Sequence, residues 1–511
     1  MDSFLAIAPS AVALVLAFTT RRVILSLLSA VVVGFAIISH YHPLNTMIAL
    51  FNDGIFQQLE GSNAQIVIVI TIISGFIYLL EASNTMRAFS GLLGTRVTSP
   101  MKLELSTLLS GIIIFFSDSG NSLILGPVYR PVYDKLKICR EKLAYIVDST
   151  SSPVCVLIPF ISWGAYIMGL METSYAAEGI KKDGFIAFQE IWFYMLYPLL
   201  TLVGVAFVAV FNVWLGPMKR VQQNFLAGTH KYEDSDVALP AMSTALETHG
   251  AKIVFIALGT LFLSMMSLFA YFSIQQGVLT GAIIRTTLAL SYTVSTVSTI
   301  AMLHRFQIFD FSDSSKAFFS GMGRIMPILC ILILAWTLSD VMAALDTGAA
   351  IAKLLNFINF PQWLLASMIF LIGASLSLAT GSSWGTFAVV IPVSVAIAVG
   401  LEAPVAVCIG AAISGGLFGD HASPISDTTV LSSMSSGVNH MSHVETQFPY
   451  AIFTAVLAFF GFVLASALSL AGGSPAWLAV MIMVLIAGVA YFSLSRSRLG
   501  RLNHGNAVVT P

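Results

Sequence analysis

Eleven residues, Gly419-Asp-His-Ala-Ser-Pro-Ile-Ser-Asp-Thr-Thr429, place two carboxylates, an imidazole and four hydroxyls between apolar runs long enough to cross a bilayer. Ionisable groups in hydrocarbon persist when they face a cavity or one another, so this stretch reads as an ion or substrate site. Pro424 and Gly419 are expected to break a helix there and to free backbone groups that can bind a charged solute. Three other polar interruptions accompany it: Ser117–Ser122, Asp148–Pro153 and Thr380–Thr386. A small hard cation such as Na+ needs several oxygens to replace its water shell, and carboxylates, hydroxyls, amide oxygens and unwound carbonyls supply them. The candidate ligands are Asp118, Asn121, Ser122, Asp148, Ser151 and Ser152 in the first half, and Thr380, Ser382, Ser383, Thr386, Asp420, Ser423, Asp427 and Thr428 in the second. A carboxylate in a partly dehydrated cavity can hold either a proton or a cation, and that competition couples two fluxes. Asp427 and Asp148 come first for this role, since each lies close to a Ser-Pro break.

Plainer readings stand beside these. Asp118 and Asp148 each also read as helix N-caps. His421 reads as a hydrogen-bonded structural histidine before a proton carrier. Glu81 and Asp340 lie near helix ends and read as interface residues, and Arg285 as structurally paired. Trp163, Trp336 and Trp384 suit packing or anchoring. His440 and His443 read as solvated loop residues, with no third ligand at metal spacing.

The elements that must carry these groups are membrane helices. Of 511 residues, 57% are hydrophobic and 10% charged, with mean hydropathy +0.89, against roughly 25% charged in soluble domains. A soluble enzyme is excluded, and a net charge of −1 offers no basic surface for nucleic acid. Cys139, Cys155, Cys330 and Cys408 are scattered and suggest neither a disulfide frame nor a metal site. Met1–Ser10 has no basic start, which predicts a retained first helix.

In chain order, helices over 5–19 and 23–39 meet at Arg21-Arg22, which the positive-inside rule places in the cytoplasm with the N-terminus outside. A polar external connection (40–63) and a crossing (64–82) follow, the latter ending near Arg87, Arg96 and Lys102. Residues 103–131 are too short for two crossings and are basic on both flanks, so they predict a re-entrant hairpin with its polar tip at mid-membrane. Residues 143–170 cross outward through one break, 172–190 form an external loop and 191–215 return. The polar stretch 216–251, with Lys219, Arg220, Lys231, Glu233, Asp234 and Asp236, is expected to link two halves. A helical pair follows over 252–303. Residues 324–342 cross, 364–399 repeat the hairpin, 405–418 lead into the motif, and residues 437–445 are a polar connection. Spans over 447–471 and 477–494 end at Arg496, Arg498 and Arg501, placing the C-terminus in the cytoplasm. The fold class is therefore an all-α polytopic membrane protein with about eleven crossings plus two re-entrant hairpins.

Gly120-Asn-Ser and Gly381-Ser-Ser each precede a Pro-Val by the same spacing, at an offset of 261 residues, and the Ser-Pro breaks follow at an offset of 271. The charge rule turns the copies over, and inverted repeats with paired broken helices mark secondary transporters. The expected divisions are N-terminal helices 1–63, a first repeat 64–215, a linker with a helical hairpin 216–323, a second repeat 324–471, and a C-terminal helix and tail 472–511.

Gly419–Ser433, followed by His440, His443-Val and Gln447-Phe-Pro-Tyr450, resembles the signature of NhaC-type sodium/proton antiporters; Tyr145–Pro159 with Ser162-Trp-Gly164, Asp118-Ser-Gly-Asn121 and Thr380–Trp384 resemble its companion motifs. Ala422 stands where relatives often carry cysteine. The resemblance spans about residues 64 to 470 and implies the ion transporter superfamily fold, a scaffold with a transport part moving in an elevator-like way, and Na+ and H+ as the ions, without a cofactor. Members of this family and its relatives also carry amino acids or organic acids, so a sodium-coupled or exchange transporter of such solutes stays open. The expected partners are the bilayer and small solutes in the cytoplasmic membrane, with homodimerisation suggested by the elevator analogy alone. No GxSxG, HExxH or GxGD pattern supports an intramembrane hydrolase, and paired inverted breaks favour alternating access over a channel.

Overall fold

The computed structural model describes residues 3–91, 99–230, 232, 242–276, 280–473 and 476–497. The charged residues Arg96, Lys231, Glu233, Asp234, Asp236, Arg498 and Arg501 of the polar flanks lie outside them. Among the described residues every element is helical. The chain opens with α1 (Ser3–Thr20) and α2 (Val23–Ile38), then α3 (Pro43–Ala49), α4 (Gly61–Ala82) and α5 (Thr85–Gly91). A hairpin of α6 (Pro100–Ile113) and α7 (Asp118–Lys135) leads to α8 (Arg140–Ser149), α9 (Ser152–Cys155), α10 (Ser162–Ala177), α11 (Gly184–Ile191) and α12 (Leu196–Phe211). Connecting helices are α13 (Gly216–Leu226), α14 (Thr244–Gln276), α15 (Gly281–Arg305) and α16 (Phe311–Arg324). The second half holds α17 (Met326–Ala344), α18 (Thr347–Phe357), the hairpin α19 (Gln362–Thr380) and α20 (Ser383–Gly400), α21 (Val405–Ala422), α22 (Asp427–Ser436), α23 (His440–Leu470) and α24 (Ala476–Arg496). Among the described residues, ten helical segments are long and apolar enough to span, both arms of the second hairpin included, or eleven with the bent pair over 23–59. The chain is a multi-pass membrane protein.

Several boundaries differ from expectation for physical reasons. The connection over 40–63 is largely helical, bent 120° from α2 at Pro43, and exposes Leu44, Met47, Ile48, Phe51 and Phe56, an apolar strip rather than a polar loop. Residues 172–190 hold the end of α10 and all but the last residue of α11, whose first turn is capped by Asp183 accepting from Phe185 N at 2.9 Å. The first broken span falls into three helices, α8, α9 and α10, because Pro153 starts α9 as a new helix and residues 156–161 leave it again. α23 begins at His440, capped by Asn439, so residues 440–445 are helix and not connection.

Gly419 does not break α21. The helix runs on to Ala422, and a Cβ at Gly419 would lie 2.4 Å from Leu378 N and 2.5 Å from Ala374 O, while one at Gly415 would lie 2.3 Å from Phe370 O. These glycines let α21 press against α19, the small-residue packing of helices in lipid. Helical continuity is lost at Ser423–Ser426, around Pro424. Arg285 is paired as expected, with Glu172 at 2.9 Å and Gln65 at 2.9 Å.

One fully buried ion pair ties the first hairpin to the first broken helix: Lys142 Nζ lies 2.8 Å from Glu104 Oε1 and 3.7 Å from the Trp214 ring centroid. Removing one member of such a pair leaves an uncompensated charge and typically costs about 3–5 kcal/mol, whereas removing both does not. Lys142→Met should therefore lower the thermal unfolding temperature in detergent, and Lys142→Met with Glu104→Leu should recover most of the loss. Equal destabilisation of single and double variants would contradict the pairing.

Candidate functional site

The two hairpin tips are built alike. Ser117 (φ −147°, ψ 120°) caps α7 by accepting from Gly120 N at 2.9 Å, and Ser382 (φ −143°, ψ 118°) caps α20 by accepting from Gly385 N at 3.3 Å. Their offset is 265 residues, so Gly120 corresponds to Gly385 and not to Gly381. Gly381 instead ends α19 in the left-handed region at φ +68°, where glycine carries no Cβ penalty. The equal Gly-to-Pro spacing seen in the sequence therefore pairs positions with different roles.

Breaking helices at mid-membrane strands carbonyls without partners, and side chains from neighbouring elements satisfy them. Asn121 Nδ2 donates to Gly111 O at 2.8 Å and to Thr150 O at 2.9 Å, joining the ends of α6 and α8. Ser151 donates to Asp118 O at 2.8 Å, Ser423 to Leu378 O at 2.9 Å, and Gln447 Nε2 to His421 O at 2.5 Å. His440 Nε2 lies 2.6 Å from Pro424 O. Thr380 and Thr386 donate one turn back, to Leu376 O and Ser382 O. Ser122 meets Ser432 at 3.0 Å across the two halves, and Thr428 meets Ser426 at 3.1 Å. Several residues expected as ion ligands thus have hydrogen-bonding work within the fold.

Two aspartates are sealed inside this knot. Asp420 accepts from Ser383 (2.8 Å), Ser426 (2.7 Å) and Ser152 (3.5 Å), which belong to the second hairpin, the second break and the first. Asp148 Oδ2 accepts from Gln447 (2.6 Å) and Thr429 (3.1 Å) and lies 3.4 Å from His443 Nε2. His443 is fully buried, so it is not a solvated loop residue; α23 carries it one turn before Gln447 onto the same carboxylate. His421 is held at both ring nitrogens, by Ser149 (3.1 Å) and Tyr197 (2.7 Å), as a structural histidine would be. Asn121 Oδ1, Asp148 Oδ1 and Gln447 Oε1 are buried without a hydrogen-bond partner.

The remaining acids face a cavity of about 370 Å3. Asp118 and Asp427, the first residues of α7 and α22, lie on its wall with Ser382, and the starts of α10 and α20 contribute Trp163 and Trp384, whose rings are 4.4 Å apart. Four helix N-termini thus converge here, and their partial positive ends offset acidic charge. The opposite wall is α4 and the α16–α17 junction. It adds Glu81, which accepts a hydrogen bond from Ser117, and Arg324, which donates to Tyr78 Oη at 2.9 Å. Glu81 and Arg324 were not among the expected ligands. Glu81, read from the sequence as an interface residue, lines this cavity; an acid within an apolar helix was itself the signal. Asp340 sits elsewhere, accepting from Gln58 at 2.5 Å, and Trp336 is buried, donating to Gly169 O. Asp427 and Asp148, ranked together from the sequence, have different surroundings, one open to the cavity and one enclosed.

The family model described as the Na+/H+ antiporter family matches residues 2–153 and 154–467. An uncharacterised protein of Haemophilus influenzae is 28% identical over 487 residues, 90% of this chain and 91% of its own length. A malate-2H+/Na+-lactate antiporter of Bacillus subtilis is 34% identical over 167 residues, 31% of this chain and 35% of its own. Among solved structures, the YdaH transporter of Alcanivorax borkumensis superposes with a TM-score of 0.59 at 13% identity, covering 84% of this chain and 90% of that one.

The geometry separates two aspartates of the motif. Asp420→Asn forces an amide donor against serine hydroxyls that already donate, and a mispaired buried group costs about 1–3 kcal/mol, so its unfolding temperature should fall. Asp427→Asn keeps the oxygen that accepts from Thr428 N at 2.9 Å, and its unfolding temperature should match wild type. Gly419→Ala should also destabilise, because its Cβ has no room. If Gly419→Ala matches wild type in a thermal scan, the close contact of α21 with α19 is not what this glycine provides.

Proposed function

We propose that this chain, which belongs to the Na+/H+ antiporter family, exchanges Na+ for H+ by alternating access, with the cation bound between the hairpin tips. The observation that carries this reading is that Asp118 and Asp427, one from each half, begin helices at polar breaks and face one cavity. Asn121 Oδ1 and Asp148 Oδ1 remain as buried acceptors with free lone pairs, the kind of oxygen a dehydrating cation requires. Proton and cation compete for the carboxylates, and that competition couples their movements. The remaining candidates, among them Ser122, Ser152, Ser383 and Thr428, hold the shape of the site. Residues 64–215 and 324–471 act as inverted repeats joined by 216–323, and the alike construction of the two tips supports this. The hairpins and broken helices move against α4 and α17 in an elevator-like cycle, in a cytoplasmic membrane with the N-terminus outside and the C-terminus inside.

A second reading, sodium-coupled transport or exchange of a small organic or amino acid, is favoured by the size and lining of the cavity. An ion with six waters, at ~30 Å3 per water, needs roughly 200 Å3, and small-molecule pockets begin near 300 Å3. Arg324 and the converging helix ends suit a carboxylate, and the two indoles suit its apolar part. The partial likeness to a malate/lactate antiporter accords with this.

In reconstituted vesicles a sodium gradient should move protons, and Asp427→Asn should lower that flux by about a hundredfold, in line with losing an essential proton-exchanging group. Absence of a pH change under any cation gradient would remove the antiport reading. A panel of labelled organic and amino acids, taken up only with sodium, would establish the second.

A further inference from the structure

Glu81 lies where two cavities meet. It lines the central cavity with Asp118, Asp427 and Arg324, and it also lines a second cavity of about 230 Å3 with Asn84, Met86, Arg87, Gly120, Leu123 and Ile124. The second cavity lies at the C-terminal end of α4, between α4–α5 and the first turns of α7. Glu81 is the residue common to both linings, and its carboxylate accepts a hydrogen bond from Ser117, which lines the central cavity. Gly120 permits this arrangement: a Cβ there would come 2.7 Å from Ser117 Oγ and 3.0 Å from Glu81 Oε1. The charged and titratable groups facing Glu81 are Asp118 on α7, Asp427 on α22, Arg324 on α16, Tyr78 on its own helix, and Arg87 across the second cavity.

We propose that Glu81 is the proton-transfer residue of the exchange cycle, passing protons between the second cavity and the acids of the central one. Resting on the antiport reading above, it divides the labour. Asp118 and Asp427 hold the cation on the moving side, and Glu81 on the opposite wall supplies and removes the proton. A proton from water in the second cavity protonates the Glu81 carboxylate. Rotation of its carboxyl group presents that proton to Asp118 or Asp427, which becomes the acid as Glu81 returns to its anion. One proton enters the cycle and one leaves, and no other reactant is consumed. The Arg87 end of α4 faces the cytoplasm by the positive-inside rule, so the second cavity is the cytoplasmic proton port.

The test uses the full-length protein in liposomes, with two fluxes measured on each preparation: radioactive sodium uptake driven by a pH gradient, and sodium counterflow at equal pH on both sides. Glu81→Gln should lose about a hundredfold of the pH-driven flux, the scale of a positioned acid–base group, with a much smaller loss in counterflow. Its pH profile should flatten, and Glu81→Asp should restore much of the coupled flux. Gly120→Ala, which sets a methyl group against the Ser117 hydroxyl and the Glu81 carboxylate while keeping every acid, should show the same selective loss. Coupled flux at wild-type level in either Glu81→Gln or Gly120→Ala overturns the proposal. So does an equal loss of both fluxes in a Glu81→Gln protein that unfolds at the wild-type temperature, because that marks a binding or structural role. Wild-type counterflow without any proton coupling would instead overturn the antiport reading and this proposal with it, a distinct outcome.

Discussion

A bilayer gives unpaired backbone carbonyls no water, and the whole centre of this molecule follows from that constraint. Every polar interruption of a helix here strands acceptors, and each is answered by a side chain from another segment: Asn121 joins α6 to α8, Ser423 joins the second break to α19, and Gln447 and His440 reach back from α23 to His421 and Pro424. The bonds that satisfy the breaks are therefore the bonds that assemble them. Asp420 is held in the same way, by serines from three different segments.

This double use explains what the sequence could and could not reveal. Apolar length and charge flanks suffice to find the spans and both hairpins, because those signals are local. The clustering of serines, threonines and acids at four breaks marks the site, because polar groups at such depth need a reason. Which of them face water is not local information. Asn121, Ser151 and Ser423 look the same as Ser382 in the sequence, and only the packing of the helix ends around them shows that they are fully buried while Ser382 lines the cavity. Gly419 looked like a breaker and is a spacer, since a glycine near a proline reads the same in either case. His443 looked solvated because helix α23 starts earlier than its apolar run.

The cavity balances opposing fields. Glu81, Asp118 and Asp427 bring negative charge, while Arg324 and four helix N-termini bring positive potential. The acids are divided between walls, two on the hairpin and break side and one on α4, so charge compensation changes if those walls move relative to each other.

Gly126 of α7 lies against α22 so closely that a Cβ would stand 2.4 Å from the Ser435 carbonyl carbon. Backbones in such intimate contact cannot slide past one another without first separating, and separation would strand the Ser122–Ser432 hydroxyl pair in a dry interior. The inner parts of the two halves are therefore locked to each other through α7 and α22, whereas α4 and α17 meet them across an open cavity.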